Sequence, residues 1–287
     1  MTRTAVIIIL TLLCRLSAGQ VSGSGYINTG RDKIFFESAG SGEAIILIHD
    51  GLLDRELWDN QFTFFSKRYT VIRYDRRGYG NSFPAIGNYS NIDDLNSLYT
   101  QLGIDSAILI GCSSGGALAI DFTLRFPEKV TSLVLVGASV HGLPFTEHFM
   151  TRGGHLPSDL KNDRQAGLYL INSDPYEIYS ANTEAREKAS KLIANNPLAI
   201  YTHPQDITDS IPTFRRLQDI KIPVLIVTGE FDMPDIQAHA GALNAGITKS
   251  ERIIIPGSGH LVPLEQPDLF NDAVIKFLKA SRRTSRK

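Results

Sequence analysis

A serine between two glycines, an aspartate beyond a valine-rich run and a histidine behind a glycine-rich turn are the residues of this sequence that point to a chemistry. Gly111-Cys112-Ser113-Ser114-Gly115 follows an apolar run and precedes a segment of helical period. A serine at such a strand-to-helix turn sits on strained backbone, with the flanking glycines giving room for the close approach of strand and helix. The N-terminus of the following helix aims free N–H groups at the site and favours developing negative charge. Ser113 is the expected nucleophile. Ser114 is the rival, but it lacks the glycine spacing, and Cys112 turns away one step early and is expected to pack in the core.

A serine hydroxyl needs a base, and that base needs an orienting carboxylate. The run Pro223 to Thr228 leads into Gly229-Glu230-Phe231-Asp232, and Arg252 to Ile255 leads into Pro256-Gly257-Ser258-Gly259-His260. Each places a polar side chain beyond the carboxyl end of a strand, in the order serine, acid, histidine. Asp232 is the expected acid and His260 the expected base. Glu230 and Asp235 are alternatives for the acid, Asp235 being better suited to capping the next helix. The run Ala44 to Ile48 ends in His49-Asp50-Gly51-Leu52, a loop that can donate to an oxyanion. The backbone amides of Gly51 and Ser114 are the expected oxyanion donors, each contributing on the order of 3 kcal/mol to transition-state stabilisation. His49 is expected to brace this loop, and Asp50 is unhelpful there unless its carboxylate turns away or is paired.

These residues must be held by alternating strands and helices. Apolar runs at Lys33 to Glu37, Ala44 to Ile48, Thr70 to Tyr74, Ala107 to Ile110, Ser132 to Val136, Pro223 to Thr228 and Arg252 to Ile255 are continuous rather than alternating, as in strands covered on both faces. Between them, Trp58 to Lys67, Ile92 to Leu102, Gly115 to Phe126, Ile236 to Ala245 and Leu269 to Ala280 carry helical period. The alternation predicts an α/β fold: a mainly parallel, doubly wound sheet of about eight strands, with ligands beyond the strands' carboxyl ends. From Ser139 to Pro212 the strands stop and helical stretches such as Thr183 to Ala194 take over, too long for a plain loop. The expected organisation is a core at residues 20–138 and 213–287 with a helical cap at 139–212. Phe145, Phe149, Leu156, Leu168 and Tyr169 are available to line an acyl pocket there, with mutual packing the favoured role.

Composition closes off other classes. The 287 residues carry a formal net charge of -1 and are 43% hydrophobic, without the basic face a nucleic-acid binder needs. Arg282, Arg283, Arg286 and Lys287 read as a solvated tail. Of the seven histidines, His141, His148 and His155 recur at intervals of seven, about two helical turns, too far apart to share one ion. His203 also falls in the cap. No metal or other cofactor is called for. Arg3, the apolar run Ala5 to Cys14 and the small residues Ser17, Ala18 and Gly19 fit a signal peptide over residues 1–19, too short to span a bilayer. Leu13 before Cys14 argues against lipidation. The expected protein is therefore secreted or periplasmic, with no stable membrane association after cleavage. Cys112 is then left without a disulfide partner. Asn88-Tyr89-Ser90 matches a glycosylation acceptor, relevant only in a eukaryote.

Taken together, the chain resembles the α/β-hydrolase family, in the group of esterases, lactonases, carbon–carbon bond hydrolases and haloperoxidase-like enzymes. The resemblance rests on Ile48-His49-Asp50-Gly51 with Asp54, Trp58 and Gln61, on Tyr74-Asp75-Arg76-Arg77-Gly78-Tyr79-Gly80-Asn81-Ser82, on Gly111 to Gly116, on Gly229 to Asp232 and on Gly257-Ser258-Gly259-His260. Many relatives carry His-Gly where this chain has His49-Asp50. Ser113 separates it from the epoxide hydrolases and haloalkane dehalogenases, which use aspartate. The resemblance implies a serine hydrolase acting on a small-molecule ester, thioester or lactone. The alternatives are a carbon–carbon bond hydrolase of a β-diketone-like compound and a non-catalytic ligand binder. The oligomeric state is left open.

Overall fold

The computed structural model describes residues 23–30, 32–84, 87–147, 149, 163–174, 176–179, 181–195 and 212–284. The expected signal peptide, Leu156, His148, His155, His203, Arg286 and Lys287 lie outside them. The strands are β1 (Gly23–Thr29), β2 (Asp32–Ala39), β3 (Ala44–Ile48), β4 (Thr70–Tyr74), β5 (Ala107–Cys112), β6 (Val130–Val136), β7 (Val224–Gly229) and β8 (Ser250–Ile255). They form one sheet in the order β1-β2-β4-β3-β5-β6-β7-β8. Pairing is antiparallel for β1 with β2 and β2 with β4, and parallel from β4 through β8. The helices are α1 (Asp59–Phe65), α2 (Asn91–Leu102), α3 (Ser114–Arg125), α4 (Asp163–Ser173), α5 (Thr183–Asn195), α6 (Pro234–Gly246), the single turn α7 (Val262–Glu265) and α8 (Pro267–Thr284).

The continuous apolar runs divide between two buried layers because successive strand residues point to opposite faces. Ile46, Ile48, Leu109, Leu133, Leu135 and Ile226 pack under α2, α3 and α6. Ile45, Leu47, Ile110, Val134, Val136 and Val227 pack on the other side with Phe65 of α1 and Phe270, Val274 and Phe277 of α8. Cys112 is fully buried in this second layer, as its place beside the Ser113 turn requires.

Elements outside the sequence reading include β1, α4 and α7. β1 was not expected, because Gly23-Ser24-Gly25 has no apolar run; it forms by pairing along β2 and buries little beyond Ile27 and Thr29. α4 carries a weak pattern interrupted by Gly167, a poor helix former, yet it buries Ala166, Leu170 and Ile171. It is fastened to its neighbour: Arg186 of α5 donates to the carbonyls of Ile171 (2.8 Å), Asn172 (3.1 Å) and Ile178 (3.2 Å).

Candidate active site

Ser113 has φ 53° and ψ −118°, and it is the only non-glycine with positive φ among the described residues. That strain is held from both sides. The Ser113 N–H donates to Val136 of β6 at 2.8 Å, while the amides of Gly116 and Ala117 at the start of α3 bond back to its carbonyl. A side chain at Gly115 would run into the carbonyl of His49, and one at Gly111 into the carbonyl of Gly115. The turn therefore demands glycine at both positions. The side of Ser113 stays half-buried rather than sealed.

Asp232 and His260 meet. Beyond β7 and β8, His260 Nδ1 lies 2.9 Å from Asp232 Oδ1, and both side chains are buried. Asp232 Oδ1 also accepts the Met233 N–H at 2.8 Å. The residue after β6, Gly137, lies against the imidazole edge. Ser113 and His260 thus flank the same Val136–Gly137 pair. The Ser113 hydroxyl makes no hydrogen bond to the ring in this structure.

Burial lowers the His260 pKa, but the Asp232 carboxylate, with Glu177 and Asp50 behind it, outweighs that and leaves it raised to about 9. The backbone of His260 is pinned as well: its N–H donates to the carbonyls of Tyr176 (2.9 Å) and Glu177 (3.1 Å), in the connection between α4 and α5. The segment between the helices thereby reaches His260 directly.

The loop after β3 resolves the oddity of Asp50. Its carboxylate turns back on its own chain, accepting the N–H groups of Leu52 (2.8 Å) and Leu53 (3.2 Å). Burial, then the nearby Glu177, push its pKa up to about 6 against those N–H groups. His49 braces the loop: Nδ1 donates to the Asp50 carbonyl at 2.8 Å and Nε2 accepts the Arg76 N–H at 3.0 Å. Burial and the adjacent Arg76 keep its pKa well below the usual histidine value. Gly51 packs against the Ser114 hydroxyl, so the two expected oxyanion donors are neighbours.

The alternatives for the acid are occupied elsewhere. Glu230 accepts the Gly257 N–H at 3.0 Å. Asp235 does not cap α6; its carboxylate receives the Thr146 hydroxyl at 2.9 Å and the Thr146 N–H, and the N-cap position is Met233. Phe145 stacks on Phe149 (3.9 Å) and on His239 (4.6 Å), the packing role favoured for it. His141 pairs with Asp121. Among the described residues no group of histidine, cysteine and carboxylate side chains could hold a metal, and no helix is long and apolar enough to cross a membrane.

Three residues near the site escaped the sequence reading. Arg76 carries no signal of its own within its loop motif, and Glu177 lies in the poorly patterned helical insert. Glu265 follows Leu261-Val262-Pro263-Leu264, a stretch that reads as packing alone. Its Oε1 accepts the Gly259 N–H (2.9 Å) and its Oε2 the Tyr179 N–H (2.7 Å), joining the histidine loop to the α4–α5 connection.

The sequence pattern of the alpha/beta hydrolase family matches residues 45–273, from β3 into α8. The chain belongs to the α/β-hydrolase family. This α/β hydrolase is 31% identical, over 276 residues, to a 2-hydroxy-6-oxononadienedioate/2-hydroxy-6-oxononatrienedioate hydrolase of Klebsiella pneumoniae, the match covering 86% of this chain and 91% of that protein. It is 27% identical over 279 residues to a bifunctional esterase/perhydrolase of Acinetobacter calcoaceticus, covering 89% and 100%. Among solved structures, a hydrolase from Pseudomonas aeruginosa superimposes with a TM-score of 0.77 at 20% identity, covering 90% of this chain and 99% of that one, a likeness of fold. The α/β hydrolase is thus an enzyme of the serine-hydrolase type.

Proposed function

We propose that this enzyme cleaves a carboxylic ester, thioester or lactone through an acyl-enzyme intermediate, with Ser113 as nucleophile, His260 as base and Asp232 as the carboxylate that orients it. The observation that carries the reading is the 2.9 Å contact between His260 and Asp232 beside the strained Ser113 turn. In this reading Ser113 Oγ adds to the carbonyl carbon as its proton passes to His260 Nε2. The oxygen takes up the negative charge and is received by the N–H groups of Gly51 and Ser114. Collapse expels the alcohol or thiol, which takes its proton from His260. Water, deprotonated by the same imidazole, then hydrolyses the acyl group. No metal or cofactor takes part.

Helices α4 and α5 support treating residues 139–212 as a cap over the site. The apolar run Ala5 to Cys14 supports export with cleavage near Ala18 or Gly19, which the intact mass of protein recovered from expressing cells would check. A panel of p-nitrophenyl esters of graded acyl length, together with lactones, tests the main reading. Wild-type turnover with loss in Ser113→Ala is expected. Equal turnover by the two proteins contradicts it.

The similarity to a hydrolase named for a dienedioate favours a second reading, carbon–carbon cleavage of a β-diketone-like acid by the same triad. Such an anionic substrate needs a basic or polar residue of the cap to hold its acid group. In the α4–α5 region Arg186 spends its guanidinium on backbone carbonyls, and the buried Asp50 and Glu177 stand near His260. Those carboxylates favour the ester reading. Faster turnover of a ring-cleavage product than of any ester reverses the preference.

A further inference from the structure

Arg76 is a buried cation that the proposed mechanism leaves unused. One of its nitrogens, Nη2, donates both to the Asp50 carbonyl (2.8 Å) and to Ser114 Oγ (3.0 Å). The face of Tyr79 covers the guanidinium at 5.2 Å. Among the described residues no carboxylate pairs with it, and its Nε has no acceptor. Its charge is delivered instead to a carbonyl and a hydroxyl, as charge-assisted hydrogen bonds.

The atoms it grips explain the use. The Asp50 carbonyl and the Gly51 N–H belong to one peptide plane and point in opposite directions. Arg76 Nη2 and His49 Nδ1 hold that carbonyl from one side, each at 2.8 Å, so the Gly51 N–H is aimed away from both. The next carbonyl, that of Gly51, is held by the Tyr79 hydroxyl at 3.1 Å. Gly51 is therefore fixed at both flanking peptides. A cation drawing electron density toward the Asp50 oxygen also makes the Gly51 N–H a stronger donor, since bonds in series polarise one another. The same nitrogen fixes the side chain of Ser114, whose amide is the second donor.

We infer that Arg76 is a positioning residue of the oxyanion hole, aiming and polarising the Gly51 peptide and fixing Ser114. The inference rests on the proposed roles of Ser113, Gly51 and Ser114. Lysine would keep the charge but lose the planar guanidinium that stacks on Tyr79 and fixes where that nitrogen sits.

The test compares wild type, Arg76→Met and Arg76→Lys for kcat and KM on a short p-nitrophenyl ester, for inhibition by an alkyl trifluoromethyl ketone, and for thermal midpoint. The ketone forms a hemiketal: Ser113 Oγ bonds to its carbon, the serine proton passes to His260, and the oxygen becomes an anion in the hole. Arg76→Met should lower kcat by about ten- to a hundredfold and weaken the ketone by a similar factor, with KM within about threefold. Arg76→Lys should recover part of both. Variants within twofold of wild type in both readouts overturn the inference and leave the hydrolase reading standing. So does a parallel loss of kcat, KM and thermal midpoint in both variants, which marks a purely structural role. A wild-type protein that neither turns over esters nor takes up the ketone removes the hydrolase reading, and this inference with it.

Discussion

Gly137 stands against His260 so closely that a Cβ at that position would lie 2.8 Å from both Nδ1 and Cε1 of the ring and 3.3 Å from Asp232 Oδ2. Its φ of +53° adds a second reason for glycine. Gly137→Ala should cost about 1–2 kcal/mol from the left-handed backbone alone. It should also push the imidazole off Asp232, lowering kcat by at least about tenfold, since an ångström of misplacement can cost a hundredfold. Ester kinetics and a melting curve on the variant check this. Wild-type kcat in Gly137→Ala would show that the ring is not held where the mechanism needs it.

As the proposed base, His260 sets the pH profile through its charge state. The ring acts as base only when neutral, and its pKa is raised to about 9 in the folded protein, so log(kcat/KM) should climb with pH and level off only near that value. Asp232→Asn removes the carboxylate responsible for the rise. Its acid limb should move to lower pH while the plateau drops on the order of 10⁴-fold, because the tautomer is no longer enforced. A wild-type limb below pH 6.5, or one that Asp232→Asn leaves in place, contradicts this account.

Glu265 holds the same histidine loop through the Gly259 N–H. Its burial raises its pKa to about 7 from the ordinary 4.5, against the opposing N–H bonds from Tyr179 and Gly259. With the folded pKa above the unfolded one, its protonation stabilises the fold fully below about 4.5, and that contribution is lost as pH rises through about 7. Glu265→Gln should therefore show a flatter decline of thermal midpoint across that window than wild type. Parallel curves would remove the carboxylate from the linkage.

The parts of this fold legible in the sequence are those where burial on both faces leaves a continuous apolar run. β3 and β4 match their expected bounds residue for residue, and Asp232 and His260 were placed by the strands that precede them. β1 was missed because its ladder with β2, not its own side chains, makes it a strand. Asp235 was misjudged because its partner, Thr146, is remote in sequence, and no local pattern announces such a bond. Arg76 was hidden for the same reason. Its meaning lies in the Asp50 carbonyl and in Ser114 Oγ, contacts that only the packed loops bring together.

The most direct test of the central claim is covalent capture. Treating the folded enzyme with a fluorophosphonate and mapping the adduct by peptide mass spectrometry should find the phosphonyl group on Ser113, with labelling abolished in Ser113→Ala and retained in Ser114→Ala. An adduct on Ser114, or none on folded wild-type protein, would contradict the account.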